Sequence, residues 1–237
     1  MSKISIKENT IVKERFYLSL LHIQSAVLFL ERVHQIEKEY DGHHSNNLIV
    51  EYLSNVTASI FATIAFLEAT INEFFVDAGE KYSENRIDTG TKVLLAEKWD
   101  AISKDRRVSM MKKFDIALEL AKKPKFDHGK QPTLDIALVV QLRNGLIHYY
   151  PEWLNDEISD VPSSITQKEF INKLRKKFSI NPLVNDSSPF FPKKCLSFGC
   201  AQWVINSSLA YSDEFFARIG VQPSYEHIRP LIIKTKI

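Results

Sequence analysis

The chain has 237 residues with a formal net charge of +2 at pH 7, and 44% of the residues are hydrophobic. This length suits one large domain or two small ones. The nearly balanced charge excludes a nucleic-acid binder that works through its overall field, so any contact with RNA must be local. The N-terminus has no apolar signal region, and the apolar run of residues 58–67 ends at Glu68, short of the ~18 residues that a membrane span needs. We expect a cytoplasmic protein with no membrane partner.

Apolar residues recur at steps of three and four over most of the chain, which is the period of helices that bury one face. The predicted helices span residues 10–39, 46–78, 91–102, 106–123, 134–146, 164–178 and 193–219. Thr10 is the predicted N-terminal cap of the first helix, and Ser103 or Asp105 is the predicted cap of the fourth. Ser164 begins a capping box at the start of the sixth helix. No strand is predicted, so the pattern indicates an all-α bundle, and we take residues 1–237 as a single domain.

The residues that most often bind metals are poorly placed for that role in this sequence. Cys195 and Cys200 lie five residues apart in a predicted helix, which suits neither a disulfide nor a metal pair, so we expect reduced thiols in the core. His43 and His44 lie beside Asp41 in a predicted turn, without further ligands at helical spacing. We therefore expect no metal site and no cofactor.

The fifth predicted helix is apolar until it ends in the run Gln141-Leu142-Arg143-Asn144-Gly145-Leu146-Ile147-His148-Tyr149-Tyr150. A polar group buried without a partner costs about 1–3 kcal/mol, so these side chains are expected at a surface or in a reaction. Asn144 and His148 share a helical face, whereas Arg143 lies about 140° from His148. Either the helix distorts near Gly145, or two copies of the helix meet and each supplies half of a site.

The order Arg143, Asn144, His148 and Tyr150 resembles the motif of HEPN ribonucleases, an Arg that is followed by a polar residue and, after four to six residues, by a His. The HEPN toxins of HEPN/nucleotidyltransferase toxin–antitoxin pairs add a Tyr two residues after the His, and Tyr150 matches it. Arg15 and His22 also fit the spacing, but without the Asn or the Tyr. The resemblance implies a HEPN-like helical bundle with additional helices that forms a homodimer and cuts RNA without metal at a site shared between protomers.

The chemistry of RNA cleavage suggests a role for each residue of the motif. The 2′-hydroxyl attacks the adjacent phosphorus, so the reaction needs a base, an acid for the leaving 5′-oxygen, and positive charge on the phosphorane. We expect His148 to move the protons and Arg143 to hold the phosphate, since Arg never loses its charge. Asn144 is expected to orient the imidazole or the phosphate. The structural alternative is that His148 and Tyr150 form a polar helix end packed on the turn of residues 151–153.

Two further residues are expected to help bind the substrate. Tyr150 would stack a base or hold a phosphate, although Tyr149 competes for this role and a core aromatic is the structural alternative. In the related toxins the equivalent Tyr receives a nucleotide from a partner nucleotidyltransferase. Glu68 interrupts an apolar helix and needs a partner, so it either holds Arg143 or Asn144 in place or makes a structural hydrogen bond between helices.

The function that these features favour is a metal-independent endoribonuclease of HEPN type that leaves 2′,3′-cyclic phosphate ends, in antiviral defence or a toxin–antitoxin system. Its expected partners are RNA, a second copy of the chain, and an antitoxin or nucleotidyltransferase. The alternative is a catalytically inactive HEPN-like module that binds RNA, nucleotide or a protein, and a third is a structural helical protein. Basic runs such as residues 173–177 either grip phosphates or are solvated helix faces.

Overall fold

The computed structural model of the chain describes residues 4–8, 11–43, 45–80, 87–105, 107–149, 165–185 and 187–233. The described residues form an all-α fold with one short hairpin before the first helix, which confirms the predicted class. Four residues that were assigned a role from the sequence lie outside the described residues, namely Thr10, His44, Tyr150 and Ser164, and so does the turn of residues 151–153.

The helices follow one another through the part of the chain that the structure describes. They are α1 (Leu18–Glu39), α2 (Asn46–Ala78), α3 (Thr89–Ile102), α4 (Met110–Leu120), α5 (Thr133–Ile147), α6 (Ile165–Leu174), α7 (Phe198–Ile219) and α8 (Arg229–Ile233). Residues Phe190–Lys194 precede α7, and a 3-10 turn, Glu226–Ile228, precedes α8. Two hydrogen bonds of π-helical spacing enclose Phe190–Lys194, so we call it the π-helical segment, although Phe191 within it is extended (φ −106°, ψ 130°).

The hairpin corrects the predicted start of the first helix. Strands β1 (Ile4–Glu8) and β2 (Ile11–Arg15) pair antiparallel, with Ile4 opposite Arg15, where a helix from Thr10 was predicted. The prediction was wrong over residues 11–15. Strand β2 begins with the β-branched pair Ile11-Val12, and its partner strand β1 has isoleucines at alternate positions; both features favour strands. The helical period begins only at Leu18.

The other boundaries depend on capping groups. Helix α2 covers the predicted 46–78, and α5 differs from its predicted bounds by one residue at each end. Helix α4 is shorter than predicted, because its cap is Ser109, whose side chain accepts a hydrogen bond from the backbone N–H of Lys112. Ser103 is instead the C-terminal cap of α3. The predicted helix start at Lys193 was wrong, because Ser197 accepts from the N–H of Cys200 and α7 begins after it.

The chain divides into two compact units, residues 1–24, 65–126 and 212–237 in the first and residues 25–64 and 127–211 in the second. In the first unit the core is aromatic. Phe215 is edge-on to Phe74 and Phe114, at centroid distances of 5.0 and 4.9 Å, and Phe75 stacks on Trp99 at 5.7 Å. Residues of α2, α3, α4 and α7 therefore pack together there.

In the second unit, hydrogen bonds join α1, α2 and α7. The Ser59 hydroxyl donates to the carbonyl of Ala26 at 2.8 Å, and the backbone N–H of Phe198 donates to the Tyr52 hydroxyl at 3.2 Å. Cys195 and Cys200 are both buried and free, which confirms the prediction of reduced core thiols. Burial raises the pKa of the Cys200 thiol.

Helix α2 is the one described helix that is long and apolar enough to cross a membrane by length and composition alone. Its most apolar window has a mean hydropathy of 1.5, and 33% of that window is buried. The buried core helix of a soluble protein meets the same test.

Candidate active site

Helix α5, which carries the motif, has one buried and one exposed face. Its buried residues are Thr133, Ile136, Leu138, Val139 and Leu142. Exposed residues recur at steps of three and four on the other side of the helix, as one face of a helix requires. They are Leu134, Ala137, Gln141, Asn144 and His148. The polar end of the motif is therefore at the surface, where its side chains are solvated.

The helix stays regular until His148. The backbone N–H of His148 donates to the carbonyl of Asn144 at 2.8 Å, and His148 itself leaves the helix with φ −102° and ψ 40°. No distortion interrupts the helix at Gly145, since helical residues continue to Ile147. Arg143 and His148 therefore leave α5 in directions about 140° apart.

The side chains of Arg143, Asn144 and His148 are available to a ligand. Arg143 is half-buried next to the fully buried Leu142, whereas Asn144 and His148 are exposed. Within the residues that the structure describes, none of the three side chains forms a hydrogen bond or an ion pair. A guanidinium, an amide and an imidazole together offer donors for phosphate oxygens and one group for proton transfer.

The ring of Phe191, in the π-helical segment, lies directly against Gly145. A β-carbon built at Gly145 would be 3.1 Å from the Phe191 Cζ atom, so the missing side chain makes room for this ring. Phe191 is also edge-on to Phe170 of α6, with centroids 5.9 Å apart, and 6.4 Å from the ring of Tyr149. The motif therefore borders an aromatic cluster that was missed because residues 179–192 lie between two predicted helices, 164–178 and 193–219. The signal was the pair Phe190-Phe191, since two adjacent large rings usually need burial.

Two contacts join the basic run of residues 173–177, at and after the end of α6, to its surroundings. The Lys177 Nζ atom lies 2.6 Å from a carboxylate oxygen of Asp135, in the first turn of α5. The Arg175 guanidinium lies 4.6 Å from the centroid of the Phe190 ring. The basic run of residues 173–177 is therefore next to the motif helix and the aromatic cluster.

Glu68 has a partner in the first unit. Its carboxylate accepts a hydrogen bond from the Nζ atom of Lys113 in α4, and the same Nζ donates to Asn72 Oδ1 at 2.8 Å. This interaction is the structural hydrogen bond between helices that was the alternative to a role at Arg143. The role of Glu68 in substrate binding stays a prediction. Lys113 was missed, although it lies at helical spacing from the buried, apolar Met110 and Ala117 and is itself 8% exposed.

The second match to the motif spacing, Arg15 with His22, belongs to an ionic cluster in the first unit. Arg15 contacts the carboxylates of Asp77 at 2.7 Å and of Glu80 at 2.6 Å. Burial raises the pKa of Asp77, and it also raises the pKa of Glu73, whose carboxylate accepts a 2.9 Å hydrogen bond from the backbone N–H of Ser19. Arg15 is therefore already neutralised by protein carboxylates.

The comparisons with known proteins add no family to these observations. No protein-family model, curated protein or solved structure matches the chain. Among the described residues, no three His, Cys, Asp or Glu side chains are grouped as metal ligands. The HEPN resemblance is therefore carried by the residues of the motif itself, from Gln141 to Tyr150, the last of which is not described.

Proposed function

We propose that the protein is a metal-independent endoribonuclease of HEPN type, with Arg143, Asn144 and His148 as its catalytic residues. The observation that supports this most is the exposure of Asn144 and His148, together with the half-buried Arg143, at the last turn of α5, without partners among the described residues. The setting implied by the resemblance is part of the proposal: a cytoplasmic toxin–antitoxin or antiviral system, whose partner is an antitoxin or a nucleotidyltransferase that modifies Tyr150.

The reaction needs only proton transfer and charge stabilisation. One His148 imidazole takes the proton of the 2′-hydroxyl, whose oxygen bonds to the phosphorus. The bond to the 5′-oxygen breaks, and that oxygen takes a proton from an imidazolium, which leaves a 2′,3′-cyclic phosphate and a 5′-hydroxyl. The guanidinium of Arg143 donates to the non-bridging oxygens as their charge grows. Asn144, one turn before His148, orients the imidazole or the phosphate.

Two copies of the chain complete this site. Because α5 is regular to Ile147, Arg143 and His148 of one chain diverge by about 140°, and a single imidazole cannot be base and acid in the same step. A homodimer supplies a second His148, so that each chain contributes one proton-transfer group.

The first test is RNA cleavage by purified variants. His148→Ala and Arg143→Ala are each expected to lower the cleavage rate at least about a hundredfold, which is the size expected for a proton-transfer group and for a donor that stabilises transition-state charge, respectively. The matched controls are His43→Ala and Arg107→Ala, because both residues are exposed and lie outside the motif, and these variants should cleave like the wild type. Full cleavage by the two motif variants, with folding checked by circular dichroism, would contradict the assignment.

The second test asks whether the site is shared. After subunit exchange, a fourfold excess of His148→Ala protein should lower the cleavage by a fixed amount of wild type to about a fifth, since only dimers of two wild-type chains are active. Independent sites would leave the cleavage unchanged. If the wild type binds RNA and none of the preparations cuts it, the inactive HEPN-like binding module is the better description.

A further inference from the structure

The basic residues of this chain are concentrated in one segment. Residues 168–194 contain seven Lys or Arg residues and two acidic residues, a net charge of +5 against +2 for the whole chain. The rest of the sequence is therefore acidic overall. Charge gathered in this way points to a polyanionic partner at one place on the surface rather than to a general solubility effect.

The basic side chains at the end of α6 and in the π-helical segment are exposed to solvent. Lys173, Arg175, Lys176 and Lys193 are exposed, and within the described residues none of them forms an ion pair. We call these four residues the α6 basic surface. The buried Asn181 holds the π-helical segment in place, since its backbone N–H donates to the carbonyl of Lys194 at 2.9 Å and its side chain to that of Lys193 at 3.2 Å.

The α6 basic surface continues into the aromatic cluster beside the motif. Arg175 covers the ring of Phe190, and the next residue, Phe191, is half-buried and lies against Gly145. The ring of Tyr149 is 43% exposed, 6.4 Å from that of Phe191, and adjoins His148 in sequence. The surface therefore offers cations that can bind phosphates, followed by aromatic rings that can stack on bases, and it ends beside the candidate catalytic residue His148.

We propose that this surface binds single-stranded RNA and guides it to His148, with backbone phosphates on the α6 basic surface and unstacked bases on Tyr149 and Phe191. The proposal rests on the proposed function, because it assigns the substrate of the same site. Open aromatic rings beside cations are the features that single strands use, whereas the stacked bases of a duplex cannot reach such rings.

The probe is a fluorescein-labelled RNA of about twelve nucleotides with 2′-O-methyl riboses, which covers one single-strand site and cannot cyclise. Its binding is measured by fluorescence anisotropy over a range of salt concentrations. Lys173→Glu combined with Lys176→Glu should weaken binding at least about tenfold and reduce the slope of log affinity against log salt by about 1.4, or ~0.7 for each lost phosphate contact. The matched control is Lys104→Glu with Lys123→Glu, two exposed lysines of the first unit with the same change in net charge, and it should stay near wild-type affinity.

Tyr149→Ala tests the stacking part independently. It should weaken binding of the single strand at least about fivefold without changing the salt slope, because it removes a ring and no charge. A duplex of the same length should bind more weakly than the single strand and should not respond to this substitution. Equal effects of Tyr149→Ala on duplex and single strand would overturn the proposed stacking.

The remaining outcomes separate this proposal from the proposed function. Equal losses for the α6 and the control pair would show a general charge effect and overturn the proposal, as would unchanged RNA binding in a wild type that cuts RNA. Binding to phosphatidylserine vesicles in place of RNA would overturn it in favour of a membrane surface. RNA binding that is lost only in the α6 pair, by a wild type that does not cut RNA, would support the binding surface while the ribonuclease proposal fails.

Discussion

Replacing Gly145 by Val should destabilise the protein, although Val is the better helix former. The built β-carbon already lies 3.1 Å from the Phe191 Cζ atom, and two further methyl groups would have to push this ring away. Phe191 would then lose its packing on Phe170 and Tyr149, and each aromatic pair is worth about 0.5–1.5 kcal/mol. The higher helix propensity of Val offsets this loss by a few tenths of a kcal/mol. We expect the free energy of unfolding to fall by about 1–2 kcal/mol.

Urea unfolding followed by circular dichroism measures this loss, and the Phe191→Ala background supplies the control. Without the ring there is no clash, so Gly145→Val should then be neutral or stabilising by a few tenths of a kcal/mol. The substitution is thus expected to change the sign of its effect between the two backgrounds. A loss of the same size with and without the ring would refute the contact between Gly145 and Phe191 as the reason for glycine at this position.

Other residues allow predictions of the same kind, each measured by urea unfolding. Ser109→Ala should cost about 1 kcal/mol, because it removes the hydroxyl that caps α4. Lys113→Met should cost about 1–2 kcal/mol rather than more, since the Glu68 side chain is 42% exposed and its freed carboxylate can be hydrated. Glu68→Gln tests the predicted role in substrate binding: a loss of RNA cleavage with the fold retained would support that role, and intact cleavage would leave Glu68 with the structural hydrogen bond alone. Burial raises the pKa of Glu73, so the folded state binds more protons than the unfolded state between the ordinary and the raised pKa. Stability should therefore fall as pH rises through this window, and Glu73→Gln should make the fall smaller; an unchanged pH profile would contradict this.

The helices that could be predicted well are those with long, uninterrupted apolar stripes. Helices α2 and α5 have such stripes, and their observed ends agree with the prediction to within one residue. Helix ends that depend on a particular hydroxyl were harder, because Ser103 and Ser109 are equally good capping residues and only tertiary packing selects between them. The hairpin of β1 and β2 has strands of five residues, too short for a reliable periodic signal.

The candidate site was predictable only where its residues are local in sequence. Arg143, Asn144 and His148 lie within six residues, so helical geometry alone placed them on α5 and predicted their divergence. The contact of Phe191 with Gly145 joins residues far apart in the chain, and no local pattern indicates such a pair. The same holds for Lys113 as the partner of Glu68, since each is simply a charged residue within an apolar stripe until the helices pack.

The central claim is that RNA is cut by its own 2′-hydroxyl, with His148 moving the protons. The measurement that tests it most directly is cleavage in EDTA of an RNA with one mapped cut site, beside the same RNA with a single 2′-O-methyl group at that site. The wild type should cut only the first RNA and leave a 2′,3′-cyclic phosphate, and His148→Ala should cut neither. Cleavage of the methylated site, or loss of all cleavage in EDTA, would contradict the account.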